Sequence, residues 1–262
     1  MKYEDLVAID IAPVLIGDLR KGIAKGEGEK VIYDFGQYHF DTPWIHHGKP
    51  KDRDCSRWIH IYFSKFGILP RKCLECWKIV ARPKDLKQLF ELNKLHSKMA
   101  LPGKVGVDLR TVGTYKGIYQ GFWYCPMGDL EGARELQKEV RRKVRGALSL
   151  DTQVILKRGC TELENRFGPS NNWVQTPEHR MLEDILDAVI VVKDVEEANQ
   201  PGWIKTHVMR FWIEYAHQNG DKTAKDFVTH YPYSLGSVPT VTYDDIVPEI
   251  APAVGGVEDG RV

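Results

Sequence analysis

The sequence lacks any long apolar run. None of its stretches approaches the roughly 18 uninterrupted apolar residues that a membrane-spanning helix needs. Its start, Met1 to Leu6, contains Glu4 and Asp5 and has no apolar stretch of the kind found in secretory signals. We therefore expect no membrane partner and a cytoplasmic location, which includes the host-cell cytoplasm or nucleoid.

The sequence also lacks the common catalytic and nucleotide-binding motifs. No P-loop, GxGxxG, HExxH or GxSxG pattern is present. The five cysteines are an odd number in a chain with no secretory signal, so they are expected to be thiols or metal ligands, not a disulfide framework. These absences make a binding function the first expectation and leave enzyme activity uncertain.

Composition and patterning divide the chain into four regions. With 42% hydrophobic residues, 262 residues can bury a sizeable core. We expect an aromatic-rich N-terminal extension (1–69) that packs on the core and a basic metal-binding module (70–160). An acidic, mainly helical region (161–246) and a flexible tail (247–262) follow.

The module has the pattern of a ferredoxin-like fold. Its apolar periodicity and turn signals predict strands at 77–82, 105–112, 118–125 and 152–157, with helices at 83–99 and 129–148. This β-α-β-β-α-β order is the split βαβ arrangement of the α+β class. Right-handed crossovers give its sheet the order 4-1-3-2, in which the first and third strands are antiparallel neighbours.

Four cysteines fall at the same end of this expected sheet. Cys73 and Cys76 form a CxxC pair before the first strand, Cys125 closes the third strand, and Cys160 follows the fourth. Four thiolates suit a tetrahedral zinc ion or an iron-sulfur cluster. Ligands scattered over four elements favour zinc, and a closed four-thiolate zinc has a structural role.

Two alternatives to this metal site stay open. Cys125 and Cys160 are small enough to be ordinary buried hydrophobic residues. A smaller site, in which His60 or His39 replaces one cysteine, is the other alternative.

Charge is distributed unevenly along the chain. Residues 161–262 hold 8 Lys and Arg against 17 Asp and Glu, a net charge of −9. The remaining 29 basic and 19 acidic residues give residues 1–160 a net charge of +10. A basic half of this kind favours contact with phosphate backbones.

The predicted nucleic-acid contacts are basic residues of one helix and aromatic residues of the third strand. The helix residues recur at steps of three and four, which align them on one face: Lys138, Arg141, Arg142 and Arg145. The strand residues are Tyr119 and Trp123, with Lys116 just ahead, and they would stack on bases of a single strand. The strand resembles in part the aromatic third strand of RNA-recognition modules, although Gln120-Gly121 displaces the motif. A solvated helix face is the alternative for the basic residues.

The sequence thus predicts a zinc-stabilised nucleic-acid-binding accessory protein of transcription or replication, with DNA or RNA as partner. One alternative is a metal-dependent phosphodiester-cleaving enzyme that uses Glu162, Glu164 and Lys157 beside Cys160. Another is a protein-interaction adaptor that binds a protein partner through the acidic C-terminal half.

Overall fold

The computed structural model describes residues 31–33, 43–48, 50–109, 119–192 and 200–227. The predictions for His39, Lys116 and the 247–262 tail fall outside these residues. The described strands are β1 (Val31–Tyr33), β2 (Trp44–His46), β3 (Trp77–Arg82), β4 (Gly103–Val107), β5 (Tyr119–Tyr124), β6 (Gln153–Arg158) and β7 (Ile190–Val192).

The described helices are α1 (Ser64–Phe66), α2 (Arg71–Leu74), α3 (Leu86–Met99), α4 (Leu130–Ala147), α5 (Thr161–Phe167), α6 (Pro177–Val189) and α7 (Gly202–Gln218). A π-helical segment, Ser56–Phe63, runs into α1, and Ser170–Asn172 and Lys222–Phe227 are short 3-10 turns. Two of the longer helices begin at aspartate caps: Asp85 accepts a hydrogen bond from the Gln88 amide, and Asp129 accepts one from the Gly132 amide.

The main sheet has five strands in the order β2-β4-β5-β3-β6. Every neighbouring pair in it is antiparallel. A separate parallel pair joins β1 to β7. The architecture confirms the expected mixture of helix and antiparallel sheet.

The two faces of the main sheet have different surroundings. Because side chains alternate along a strand, Ile79 of β3 and Trp123 of β5 share one face, and Lys78 and Tyr124 share the other. The first face packs against the apolar stripe of α3, which is formed by Leu86, Leu89 and Leu92, and against Ala133, Val140 and Val144 of α4. We call these the helix-covered face and the opposite face.

Helices outside the 70–160 region contribute to the same core. Ile204, Val208, Trp212 and Ala216 of α7 belong to the apolar cluster on the helix-covered face. The Trp212 indole donates a hydrogen bond of 2.7 Å to the Pro43 carbonyl, just before β2. No helix in the described ranges is both long and apolar enough to cross a membrane.

Candidate metal centre

Backbone hydrogen bonds hold the CxxC segment at one end of the main sheet. The Cys73 amide donates to the Pro70 carbonyl at 3.0 Å, which closes the first turn of α2 and leads the chain into the CxxC. The Cys76 carbonyl then accepts a 2.8 Å hydrogen bond from the Gly159 amide, and the Glu75 carbonyl accepts one of 3.0 Å from the Gly128 amide. The segments after β5 and β6 are thereby fixed to the CxxC segment.

The backbone conformation of Gly159 determines how the chain turns from β6 into Cys160. It has a positive φ of 61°, and a Cβ atom there would overlap the ring of Trp173. Only glycine meets both conditions without strain. The turn leaves Cys160 next to β3, where the Lys78 ammonium donates a hydrogen bond of 3.4 Å to the Cys160 sulfur.

The thiols near this turn affect one another electrostatically. Burial, followed by the charges of Cys160, Cys76 and Cys55, raises the pKa of the Cys73 thiol well above its usual value. Burial also raises the pKa of Cys76, while the positive charges of Lys78 and Arg53 oppose that rise. The site therefore joins a group of thiols to two cations that can balance the charge of bound thiolates.

Lys78 is the nearer of these two cations. Its side chain lies on the opposite face and is only 7% exposed. Burial alone lowers the pKa of Lys78, but the charges of Cys160 and Cys76 outweigh that effect and raise it. Lys78 therefore lies next to the sulfur that it contacts, where it can balance a thiolate.

Cys125 reaches the same end of the sheet but faces the other way. Its amide donates to the Trp77 carbonyl at 3.1 Å, which places Cys125 level with Trp77. Its side chain is 1% exposed and belongs to the apolar cluster under α3 and α4. Cys73 and Cys160 instead belong to a separate cluster with Leu163 and Trp173.

The fifth cysteine, Cys55, enters the site from outside the ferredoxin-like pattern. Burial, followed by the charges of Cys160 and Cys76, raises the pKa of Cys55 to about 11. No strand or helix pattern in the sequence predicts a role for this residue. Its segment is positioned by Arg53, whose buried guanidinium donates to the carbonyls of Trp77 and Cys125, and these contacts have no sequence signal.

All five cysteines lie in the described ranges, and none forms a disulfide. In these ranges no three His, Cys, Asp or Glu side chains are already arranged to hold a metal ion. His60, the described alternative ligand, is exposed on the π-helical segment. The residues that converge at this end of the sheet are therefore chiefly thiols, which prefer zinc or an iron-sulfur cluster as a metal partner.

Only part of the predicted basic face of α4 is positioned to contact nucleic acid. Lys138 forms a 2.6 Å ion pair with Glu135, and the half-buried Arg141 donates to the Val154 carbonyl at 3.2 Å. Arg142 and Arg145 are exposed. The usable positive charge of this face therefore lies towards the C-terminal end of α4.

The predicted base-stacking residues need a correction. Tyr119 is 2% exposed and Trp123 is fully buried. The Trp123 ring stacks on the His96 ring, with centroids 4.6 Å apart and an angle of 5° between the planes. Because β5 lies in the middle of the sheet under α3, both residues are packing residues and cannot stack on bases.

Two of the three predicted catalytic residues, Lys157 and Glu164, contact each other. The buried Lys157 ammonium forms an ion pair with Glu164 and donates a 3.0 Å hydrogen bond to the Thr161 hydroxyl. Glu162, two residues before Glu164 on α5, is exposed. A carboxylate neutralised by an adjacent lysine is better suited to holding α5 against β6 than to binding a metal for hydrolysis.

No protein-family model, curated protein or solved structure matches this chain.

Proposed function

We propose that this protein is a zinc-stabilised nucleic-acid-binding accessory protein of transcription or replication, built on a ferredoxin-like core. The observation that carries the proposal is the hydrogen bonding of the CxxC segment to the turn before Cys160. The antiparallel neighbours of β3, which are β5 on one side and β6 on the other, support the ferredoxin-like arrangement of residues 77–158.

Zinc is the metal that suits these ligands best. The cysteines come from separate segments of the chain, as is common for structural zinc sites, and not from one compact loop. A bound zinc would join the CxxC segment to the start of α5, so its binding energy would stabilise the fold. Lys78, already hydrogen-bonded to the Cys160 sulfur, would then orient that thiolate and offset part of its charge.

The nucleic-acid component rests on the charge of the N-terminal half and on exposed arginines. Residues 1–160 carry the net charge of +10 derived above. In the described part of the chain, Arg142 and Arg145 form no ion pair, whereas Lys138 is paired with Glu135. Since the predicted stacking residues Tyr119 and Trp123 are buried, we propose that phosphate contacts dominate binding and that sequence preference is weak.

The test is a salt titration of binding to a fluorescent single-stranded oligonucleotide. We expect the logarithm of the association constant to fall linearly with the logarithm of salt concentration. The double variant Arg142→Gln/Arg145→Gln should reduce the magnitude of that slope by about 1 to 2 and weaken binding. Lys138→Gln removes one charge from a paired position on the same helix and is the matched control, with a smaller effect. Absence of binding at low salt would refute the proposal.

A second candidate function, interaction with a protein partner, has its own structural support on α6. Met181 is 59% exposed and Ile185 is 41% exposed, and the exposed Asp184 lies between them in sequence. Exposed apolar residues beside acidic ones suit a partner that is apolar and basic. A Met181→Ser/Ile185→Ser variant that loses a stoichiometric partner captured by the wild type would favour this function over the first.

A further inference from the structure

We infer that Cys55 supplies the fourth thiolate of the zinc site, in the position that strand order alone gives to Cys125. The complete ligand set would be Cys55, Cys73, Cys76 and Cys160. This inference rests on the proposed zinc site and specifies its composition.

The direction of the Cys125 side chain argues against its being a ligand. Cys125 is level with Trp77, and residues two apart on a strand share a face, so Cys125 lies with Trp123 on the helix-covered face. Lys78, which contacts the Cys160 sulfur, lies on the opposite face. The β-sheet therefore separates Cys125 from the Cys160 thiol, even though both follow strands that end at the same edge.

Cys55 is held near the CxxC segment by residues that precede it. Arg53 is buried and donates a 2.9 Å hydrogen bond to the Trp77 carbonyl, one residue after Cys76. Its guanidinium also lies 4.8 Å from the centre of the Tyr124 ring, on the opposite face. Asp52 connects the same segment to the residues after β5, because its carboxylate accepts a 2.9 Å hydrogen bond from the Met127 amide. The backbone that carries Cys55 is thus anchored on the same side as Lys78.

Packing brings the segment that follows Cys55 towards two of the other thiols, because Trp58 and Ile59 lie against the apolar cluster that contains Cys73 and against which Cys160 also packs. Each of the six pairs among Cys55, Cys73, Cys76 and Cys160 interacts electrostatically. Cys125 interacts in this way with Cys76 but with none of the other three. The packing of the Cys55 segment and these interactions therefore support the same four residues as the sheet-face argument does.

Among the described residues no three of these side chains are already arranged to hold a metal ion, so zinc binding would require the sulfurs to move together. Zn–S bonds of about 2.3 Å at tetrahedral angles place the sulfurs about 3.8 Å apart. A cysteine side chain has a single rotatable bond that moves its sulfur, so the four thiols can approach one another while the hydrogen-bonded backbone stays in place. Four thiolates and one Zn²⁺ carry a net charge of −2, which Lys78 and Arg53 are positioned to offset.

The test is zinc content per chain, measured on full-length wild type and on single variants purified without added chelator. We expect about one zinc in the wild type and in Cys125→Ser. Cys55→Ser should lose it. Cys55→His, which keeps a zinc-ligating side chain, should retain zinc and so separates ligand loss from misfolding.

The outcomes distinguish this inference from the proposal on which it rests. Zinc kept by Cys55→Ser and lost by Cys125→Ser would overturn the role of Cys55 and leave the zinc site standing. A wild type that holds no zinc, or holds iron with sulfide, would overturn the zinc site itself.

Discussion

Protonation of His96 should destabilise the protein in mild acid. The His96 ring is fully buried between His47 and Trp123, with centroids 4.5 and 4.6 Å away. Its Nε2 donates a 2.9 Å hydrogen bond to the Phe122 carbonyl, so the neutral ring has its bare nitrogen at Nδ1. Among the described residues Nδ1 has no hydrogen-bond partner. A proton added there would be buried without an acceptor.

The magnitude follows from the pKa of this group. Burial is the main cause that lowers the pKa of His96 from 6.5 to about 4. Because the folded-state pKa lies below the unfolded value, the associated stability is present above pH 6.5 and is lost as the pH falls towards 4. At 1.36 kcal/mol per pKa unit, the full loss is about 3.4 kcal/mol. Cation–π attraction between the protonated ring and the stacked Trp123 would offset about 0.5 to 2 kcal/mol of this loss. The expected net loss of unfolding free energy is therefore about 1.5 to 3 kcal/mol.

Urea unfolding of wild type and His96→Gln, measured between about pH 7.5 and about pH 4, tests this reasoning. Glutamine keeps a donor for the Phe122 carbonyl but does not titrate. We expect the wild type to lose about 1.5 to 3 kcal/mol more free energy of unfolding than the variant over this range. Other titrating groups affect both proteins and largely cancel. Parallel pH profiles would refute a buried, neutral His96.

Two further substitutions test the packing around the site by urea unfolding. Gly159→Ala should cost about 2 to 3 kcal/mol, because the residue has a positive φ and its Cβ would overlap Trp173, whereas Gly146→Ala at an open helical position should stabilise by about 0.5 to 1 kcal/mol. Equal effects would contradict the turn geometry. Lys157→Met should cost about 3 kcal/mol by leaving the Glu164 carboxylate without its cation, and adding Glu164→Leu should recover much of that loss. A purely additive double variant would show that the pair is not coupled.

Local patterns predicted most elements of the 77–158 region, but the strand predicted at 105–112 is β4 at Gly103–Val107, with 108 and 109 outside it. The predicted 77–82 strand matches β3, because β-branched and aromatic residues there are bounded by the CxxC turn and Pro83. The helix predicted from residue 129 begins at Asp129, whose carboxylate accepts a hydrogen bond from the Gly132 amide. These features depend on residues close in sequence, which is why periodicity and capping rules found them.

The direction of Cys125 was missed although its position along the sheet was anticipated. Strand order shows which strand ends share an edge, but a shift of one residue moves a side chain to the other face. The hydrogen bond from the Cys125 amide to the Trp77 carbonyl places Cys125 opposite Trp77, and therefore on the helix-covered face. Strand order alone therefore brings four cysteines to one edge without distinguishing their faces.

Cys55 and Trp123 depend on tertiary packing that no local pattern encodes. Cys55 is placed by the long-range bonds of Arg53 to the Trp77 and Cys125 carbonyls. Trp123 is buried because α3 brings His96 over it. An exposed strand and a covered one have the same aromatic pattern, so burial could not be predicted from β5 alone.

X-ray absorption at the zinc edge of the purified wild-type protein would identify the atoms bound to the metal. We expect one zinc surrounded by four sulfur atoms at about 2.3 Å, as for four cysteine thiolates. A first shell that contains nitrogen or oxygen atoms at about 2.0 to 2.1 Å, or a protein without zinc, would contradict it.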